Sequence, residues 1–224
     1  MCGRFTLFSD YESILERFQV GNGLRGDNYR KSYNIAPSSQ VISIINDGKQ
    51  NRIGYLRWGL VPSWAKDEKI GNRLINARAE TLKEKPSFRG LLRQKRCLIA
   101  ADSFYEWKKT ADGKIPMRIK LASGELFGMA GLWEVWKAPD GRKVPTCTII
   151  TTEGNELMSG IHERMPVIVP KEEEQNWLNP SISDWGILGR CLKPYKSGMM
   201  EAFEVSHLVN SPKHDLPELI VPIS

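Results

Sequence analysis

The stretch VISIINDGKQNRIGYLRW, residues 41–58, decides the fold prediction, because it has the pattern of an antiparallel β-hairpin. Apolar and β-branched residues fill VISII (41–45), and apolar residues alternate with polar ones in RIGYLRW (52–58). Asn46-Asp47-Gly48 separates the two runs, and these residue types favour tight hairpin turns. The stretch therefore predicts two strands, over 41–45 and 52–58, joined by a turn at 46–48.

Similar patterns continue along the chain beyond this hairpin. Two further hairpins are predicted to turn near Asp112-Gly113 and Asp140-Gly141. Other predicted strands are RCLIAAD (96–102), TCTIITT (146–152), VIV (167–169), FEV (203–205) and ELIVPI (218–223). Strands outnumber helices and most connections are hairpins, which is typical of a largely antiparallel α+β domain. Because the strands are spread over the whole chain, we expect one domain spanning residues 1–224.

Few segments have a helical pattern. Ser9 and Glu12 fit a capping box, and the apolar stripe that follows predicts a helix over residues 10–19. Gly21, Gly23 and Gly26 then predict a loop that runs to Tyr33. Short helices are also predicted over 86–94, 155–161 and 171–178.

The composition bounds the class of protein. The 224 residues are 41% hydrophobic and 26% charged, which is typical of a soluble globular domain. No apolar run approaches the ~18–20 residues that span a bilayer, and the start MCGRFTLFSD lacks the apolar core of a signal peptide. We therefore expect a cytoplasmic protein. The net charge of +6 is a mild basic bias that is compatible with nucleic acid.

The four cysteines, Cys2, Cys97, Cys147 and Cys191, form no CxxC pair. Together with the three histidines they give no metal-ligand pattern, so no metal or cofactor is expected. Cys97 and Cys147 lie in apolar β-like runs, which predicts buried thiols. Cys191 fits either a buried or an exposed position.

Cys2 stands out because it follows Met1 directly. If Met1 is removed, Cys2 carries a free α-amine beside its thiol, a 1,2-aminothiol that no other position in a chain offers. The amine, with an ordinary pKa of about 7.7–8.0, would form an imine with an aldehyde. The thiolate would then close a stable five-membered thiazolidine. The alternative interpretation is a small residue left on a frayed terminus.

Glu106 and His162 are candidates for proton transfer. Glu106 lies between Tyr105 and Trp107, and aromatic surroundings tend to raise a carboxyl pKa into the range that suits acid/base work. A solvated glutamate on an edge strand is the alternative. The imidazole of His162 exchanges protons near neutral pH, although a structural role fits equally well.

Asn76 and Arg78 alternate in the sequence, so in an extended segment their side chains point the same way. An amide that donates and accepts, next to a guanidinium fork, suits contacts to phosphate; a polar strand face is the alternative. Trp58 and Trp64 either stack on unpaired bases or fill the core.

Taken together, these segments resemble the SRAP family, the SOS response-associated peptidases that are also called abasic site processing proteins. The matching stretches run in family order: MCGRF, YNIAP, WGLVPSW, NARAET, RCLIAADSFYEW, AGLWE, TCTIITT and IHERMPVIV, followed by a weaker VSHLVN…ELIVPI tail. The resemblance implies one α+β domain around a curved, barrel-like, mostly antiparallel sheet with flanking helices. It also implies a basic groove for single-stranded DNA, in which the mature N-terminal cysteine forms a thiazolidine crosslink with the aldehyde of an abasic site and so shields the lesion.

The resemblance further implies roles for individual residues. Cys2 matches the crosslinking nucleophile, and Asn76 matches the amide that positions the cysteine and the lesion sugar. Glu106 matches the acid/base near the α-amine, and His162 matches the histidine that helps to open the sugar. The implied DNA-binding residues are Arg4, Pro37, Trp64, Arg78 and Arg164. Some relatives carry a second Trp where this chain has Ala65, so the base-wedging contact differs here.

Several activities follow from this chemistry. An imine at the abasic carbon can promote β-elimination, so a DNA lyase side activity is expected. Met1 would be removed by autoproteolysis, as in the family, or by an ordinary aminopeptidase. Two other hypotheses stay open: a cysteine peptidase acting in trans through Cys2, His162 and Glu106, and a nucleic-acid-binding module without catalysis. The expected partner is single-stranded DNA with abasic sites, bound by a monomer that is nucleoid-associated when on DNA, with no membrane partner.

Overall fold

The computed structural model describes residues 2–21 and 28–223. Its strands are β1 (Arg4–Leu7), β2 (Ser32–Ile35), β3 (Gln40–Asn46), β4 (Asn51–Trp58), β5 (Asn76–Arg78), β6 (Arg96–Ala101), β7 (Ser103–Thr110), β8 (Gly113–Leu121), β9 (Phe127–Lys137), β10 (Lys143–Glu153), β11 (Arg164–Pro166) and β12 (Met200–Glu204). Its α-helices are α1 (Tyr11–Arg17), α2 (Pro86–Arg89), α3 (Leu91–Gln94), α4 (Glu156–Ser159), α5 (Glu174–Leu178) and α6 (Trp185–Arg190). None of the helices described here is long and apolar enough to cross a membrane.

The hairpin predicted from residues 41–58 is confirmed. β3 and β4 pair antiparallel, with Ile44 opposite Ile53. The turn is set by Asp47, whose carboxylate accepts hydrogen bonds from the backbone nitrogens of Lys49 and Gln50, both at 2.9 Å. Gly48 adopts a φ of 90°, which side chains rarely tolerate and glycine does. The predicted turns at 112–113 and 140–141 also join paired strands.

Five strands close into a barrel. Their order is β10-β4-β3-β6-β9, and the ring closes because β9 also pairs with β10 over residues 131–137 and 143–149. All the contacts around this ring are antiparallel except β10 with β4. β5 and β11 extend the barrel by pairing with the far end of β10. The α+β class and the barrel-like sheet are therefore confirmed.

A second, five-stranded sheet packs against the barrel in the order β12-β8-β7-β1-β2. The layer between them is apolar and contains side chains from both, among them Phe5 and Phe104 of the second sheet and Trp58 and Ile149 of the barrel. Cys97 and Cys147 are buried in this layer, as predicted, and Cys191 is buried in the larger core cluster. The interface between the two sheets positions the candidate site.

The helices are shorter than predicted. A helix follows Ser9, but the capping box is wrong: Asp10 is the N-cap residue, and the Ser9 hydroxyl instead donates to the carboxylate of Asp102. The segment 86–94 is divided at Gly90 into α2 and α3, consistent with the low helix propensity of glycine. α4 covers only Glu156–Ser159, and residues 171–178 form a 3-10 turn followed by α5.

Three strand and loop predictions also need correction. In ELIVPI (218–223), residues 218–220 belong to a 3-10 turn that Pro217 starts, and Pro222 makes an isolated β-bridge to Val205. In VIV only Ile168 makes a β-bridge, since β11 ends at Pro166. The loop predicted to reach Tyr33 ends earlier, because β2 begins at Ser32; Gly23 and Gly26 lie outside the described residues.

Candidate functional site

Cys2 lies at the entry to β1 and is fully buried, so a thiol on a frayed terminus is the wrong interpretation. β1 pairs with β7 through Arg4 opposite Tyr105 and Phe5 opposite Phe104, which fixes the position of the residue before it. The thiol packs in the apolar layer between the sheets. Burial, and secondarily the charge of Glu106, raise the pKa of the Cys2 thiol well above its ordinary range.

Glu106 on β7 is the acidic group next to this thiol, as its effect on the Cys2 pKa shows. Its side chain points inward, and the residue is only 2% exposed, which excludes a solvated edge-strand glutamate. Burial raises the pKa of the carboxyl to about 7, as predicted from its aromatic neighbours. A carboxyl that is half ionised near neutral pH can both accept and donate a proton.

Asn76 and Arg78 lie on β5, which runs parallel to β10 with Asn76 opposite Ile149 and Arg78 opposite Thr151. The predicted extended segment is therefore confirmed. Neither the amide nitrogen nor the amide oxygen of Asn76 has a hydrogen-bond partner among residues 2–21 and 28–223, although both atoms are buried. A buried amide without partners is costly, which indicates that a ligand completes its hydrogen bonds. Arg78 is exposed.

His162 lies just before β11, and its ring is fixed by the backbone. Its Nδ1 lies 3.0 Å from the backbone nitrogen and 3.2 Å from the carbonyl oxygen of Arg164, so the backbone of that residue holds the ring in place. Burial lowers the pKa of His162 below its ordinary value, and the ring is therefore mainly neutral at pH 7. The ring lines a cavity of about 380 Å³ together with Trp107 and Lys109 of β7.

The neighbours of His162 in sequence connect it to the thiol, since Ile161 packs against the apolar layer that contains Cys2. Trp107 follows Glu106 directly on β7, and Met165 of β11 packs in the same apolar layer as Cys2. The structure thus brings Cys2, Glu106 and His162 to one region. Asn76 is on β5, where it pairs with Ile149, a residue of the same apolar layer. The four residues singled out from the sequence as catalytic candidates lie around the junction of the two sheets.

Two of the predicted DNA-binding arginines are already engaged. Both Nη atoms of Arg164 bind the carboxylate of Glu80, at 2.7 and 2.9 Å, and the side chain is 12% exposed. Arg4 donates to the side-chain oxygen of Asn34 at 2.7 Å and to the carbonyl of Val209 at 2.8 Å. A phosphate would have to displace these partners, whereas Arg78 is open to solvent.

Trp58 and Trp64 have different roles, although they lie close in sequence. Trp58 is fully buried and donates from Nε1 to the carbonyl of Ile75 at 2.8 Å, so it belongs to the core. Trp64 is 61% exposed and borders a cavity of about 420 Å³. The charged residues that line this cavity are Lys66, Asp67, Lys69 and Arg73.

Pro37 is partly exposed and lies in the turn before Ser38, whose backbone nitrogen donates to the Trp58 carbonyl at 2.8 Å. The turn at Pro37 therefore lies against the end of β4, from which the loop that carries Trp64 continues. Ala65 contributes its carbonyl to Trp136 Nε1 at 2.7 Å and is partly buried.

Sequence reasoning missed the C-terminal part of this region. Trp107 donates from Nε1 to the side-chain oxygen of Asn210 at 2.7 Å, and Asn34 donates to carbonyls of residues 209, 211 and 214. No local signal marks Asn210, because its partners are far away in sequence. In the described ranges no group of three or more His, Cys, Asp or Glu side chains is arranged to hold a metal ion.

Comparison with known proteins supplies the family context. The chain matches the family described as SOS response associated peptidase (SRAP) over residues 1–212. It is 59% identical to abasic site processing protein YoqW of Bacillus subtilis over 221 residues, which are 98% of this chain and 99% of that protein. It is 33% identical to abasic site processing protein HMCES of Gallus gallus over 95% of this chain and 72% of that protein. The crystal structure of a Bacteroides thetaiotaomicron protein superposes with a TM-score of 0.88 at 28% identity, covering 100% of both chains.

Proposed function

The chain belongs to the SRAP family, and on that premise we propose that it processes abasic sites in DNA, the activity for which its relatives are named. We propose further that the substrate is single-stranded and that Cys2 forms a thiazolidine crosslink with it. The main support is the burial of the Cys2 thiol next to Glu106, a carboxyl with a pKa of about 7. An aldehyde trap needs a nucleophile and a proton-transfer group together, and this pair provides both.

In the first step Met1 is removed, which turns the backbone nitrogen of Cys2 into an α-amine. This amine attacks the aldehyde carbon of the ring-opened abasic sugar. One water leaves and an imine forms. Ionised Glu106 takes a proton from the ammonium form of the amine, and protonated Glu106 gives one to the departing oxygen. A pKa of about 7 keeps both forms populated at neutral pH.

In the second step the thiol closes the ring. The sulfur bonds to the imine carbon, the C=N bond becomes a single bond, and the thiol proton ends on the nitrogen. Because burial keeps the Cys2 thiol protonated, it needs a base at this moment, and Glu106 is the adjacent one. The elements of one water are lost overall, and the crosslinked strand keeps its phosphodiester bonds.

His162 and Asn76 serve the sugar in this proposal. The neutral imidazole can take the proton of the anomeric hydroxyl and, as imidazolium, give one to the ring oxygen, so that the closed sugar opens to the aldehyde with no net change in protonation. Asn76 offers a donor and an acceptor that no described residue uses, and the sugar hydroxyl or the adjacent phosphate would complete them. An imine that is not trapped by sulfur can undergo β-elimination, which accounts for the lyase activity that we expect as a side reaction.

The exposed side chains around Trp64 and at Arg78 favour a flexible strand over a base-specific duplex contact. Exposed Trp64 gives a stacking platform, and Arg78 and the cations around Trp64 suit phosphates. Contacts of this kind position a strand without reading its sequence, so binding should depend on salt and hardly on base composition. We propose that the protein binds as a monomer.

Intact mass spectrometry tests the proposal directly. The purified protein should lack Met1, and incubation with an oligonucleotide containing one abasic site should add the oligonucleotide mass less one water. Cys2→Ala should give no stable adduct, while Cys191→Ala, which removes another buried thiol, should crosslink normally. A wild-type protein without Met1 that forms no adduct would refute the crosslinking mechanism.

Two matched measurements separate the finer activities. If Glu106→Gln made in the same cells retains Met1 while the wild type has lost it, the cleavage is autoproteolytic; loss from both assigns it to a cellular aminopeptidase. Cleavage of unrelated peptides that disappears in Cys2→Ser would instead favour a peptidase in trans. The raised pKa of the buried thiol argues against that activity, because hydrolysis needs a ready thiolate.

A further inference from the structure

A second basic cavity lies away from Cys2, between α2, α3 and α6. It has a volume of about 510 Å³. Its walls carry the cations Lys83, Arg89 and Arg93 and the ring of Trp185, and Leu92 and Leu188 form its floor. We name it the helical cavity. Among the residues that the structure describes, no carboxylate lines it.

The three cations of the helical cavity are not neutralised. None of them makes an ion pair within residues 2–21 and 28–223, in contrast to Arg57 or Arg142 elsewhere on the surface. All three are exposed, and they converge on one concave space. Like charges that converge without acids repel one another, so the arrangement favours an anionic ligand.

Trp185 adds an aromatic surface to this positive cavity. The ring is 37% exposed, and the Lys83 ammonium lies over it, 4.5 Å from the ring centroid. An exposed tryptophan face beside several cations is the combination that binds single-stranded nucleic acid, where a base stacks on the ring and the backbone meets the cations. A simple phosphate site would not need the ring.

The helical cavity is also within reach of the strand bound at the lesion site. Arg78 and Lys83 are five steps apart in the chain, so they cannot be more than about 18 Å apart, even fully extended. Arg78 lies beside Asn76 on β5, and the chain passes directly from β5 through a 3-10 turn toward α2. A DNA strand bound at the lesion site therefore needs only a few nucleotides to reach the helical cavity.

We propose that the helical cavity is a second binding site for the same DNA strand, which stacks one base on Trp185 and places a phosphate among Lys83, Arg89 and Arg93. This inference rests on the proposed action on single-stranded DNA. It adds a contact that is remote from the lesion and independent of the crosslinking chemistry. The site increases affinity for long strands and contributes nothing to a very short one.

The test compares two oligonucleotides that carry an abasic residue. One is a trinucleotide with the lesion in the centre, and the other is a strand of about fifteen nucleotides, within the usual footprint of such surfaces. Reversible affinities are measured by fluorescence anisotropy with the Cys2→Ala protein, so that no crosslink forms. The quantity of interest is the ratio of the affinities for the long and the short strand.

Two kinds of variant probe the helical cavity. Arg89→Ala/Arg93→Ala removes two cations, and Lys49→Ala/Lys143→Ala is the charge-matched control, with both lysines exposed and outside the cavity. Gly90→Leu fills the cavity while every cation stays. It should fold, because Gly90 has helical dihedrals (φ −72°, ψ −40°) and an added Cβ meets no atom within 4 Å.

Gly90→Leu should lower the long-to-short affinity ratio at least about fivefold, the smallest effect expected from losing a stacked base. The arginine double variant should lower the ratio too, because it removes two of the three cations at the phosphate. The arginine variant should also lower the salt slope for the long strand by about 0.7, the value for one phosphate contact on a single strand, relative to the wild type. The control double variant should keep the wild-type ratio.

Several results would overturn the inference. If the arginine double variant and its control give the same ratio, the helical cavity does not bind the strand. If polyglutamate is as effective as undamaged DNA at displacing the long strand from the helical cavity, the cavity binds acidic polypeptides instead. A wild-type protein that crosslinks neither oligonucleotide refutes the proposed function itself, whereas normal crosslinking with an unchanged ratio refutes the second site alone.

Discussion

Replacing Glu106 with glutamine tests the electrostatic basis of the site, because it removes a charge that the fold buries next to Cys2. The carboxyl is 2% exposed, and burial raises its pKa to about 7 from an ordinary 4.5. In the unfolded chain the group returns to its ordinary value. The folded state therefore binds this proton more tightly than the unfolded state does, and stability depends on pH.

The sign and size follow from these two values. Below pH 4.5 Glu106 is protonated in both states, so its burial does not lower the free energy of unfolding. As the pH rises to about 7 and above, the folded protein must hold a buried carboxylate, so stability is lost over that interval. The gap between 4.5 and about 7, at about 1.36 kcal/mol per pH unit, amounts to about 3 kcal/mol.

Glutamine has nearly the same shape and no charge, so Glu106→Gln should be free of this penalty. Its free energy of unfolding should be close to that of the wild type near pH 4.5 and higher by up to about 3 kcal/mol above pH 8. Urea denaturation of both proteins at half-unit steps of pH gives the difference, in which titrating groups that do not interact with Glu106 cancel. A difference that stays constant from pH 4.5 to 8.5 would refute the buried, high-pKa carboxyl.

Three other substitutions test separate parts of the structure. Asn76→Leu should abolish crosslinking in the intact-mass assay and yet raise stability by about 1–3 kcal/mol, since it removes a buried amide with no described partner; a loss of stability would show a structural role. Trp64→Ala should weaken binding of undamaged single-stranded DNA by about 1–3 kcal/mol in anisotropy titrations without changing the melting temperature, because the ring is largely exposed. Arg96→Met should lower the free energy of unfolding by at least about 3 kcal/mol, because the buried guanidinium donates to the carbonyls of Leu92 and Trp177 among others; an unchanged urea midpoint would contradict this.

Elements with strong local patterns could be predicted from the sequence. The hairpin of β3 and β4 has apolar runs and an Asn-Asp-Gly turn, and the structure confirms it. The strands around Cys97 and Cys147 were recognisable as continuous apolar runs, because they are covered on both faces. Closure of the barrel was implied only by the resemblance, since the pairing of β9 with both β6 and β10 joins segments that no local pattern links.

Predictions failed where a distant contact decides the outcome. Ser9 has the sequence of an N-cap, but Asp102, which lies far away in the chain, takes its hydroxyl and its backbone nitrogen. The segment ELIVPI has the apolar content of a strand, but its prolines and the packing of Leu219 near Tyr105 leave it as a turn. In both places the local sequence favours the predicted element, and a tertiary interaction favours a different one more strongly.

Cys2 shows the same limit at the site itself. Its neighbours in sequence give no sign of burial, and the thiol is covered because β1 pairs with β7 and packs against the barrel. Arg4 reinforces this by holding β1 to Asn34 and to the carbonyl of Val209, so the C-terminal segment helps to fix the strand that follows Cys2. The position of Cys2 relative to Glu106 therefore depends on pairings across nearly the full length of the chain. A substitution such as Asn34→Ala, which touches neither the thiol nor the acid, should disturb their alignment through β1.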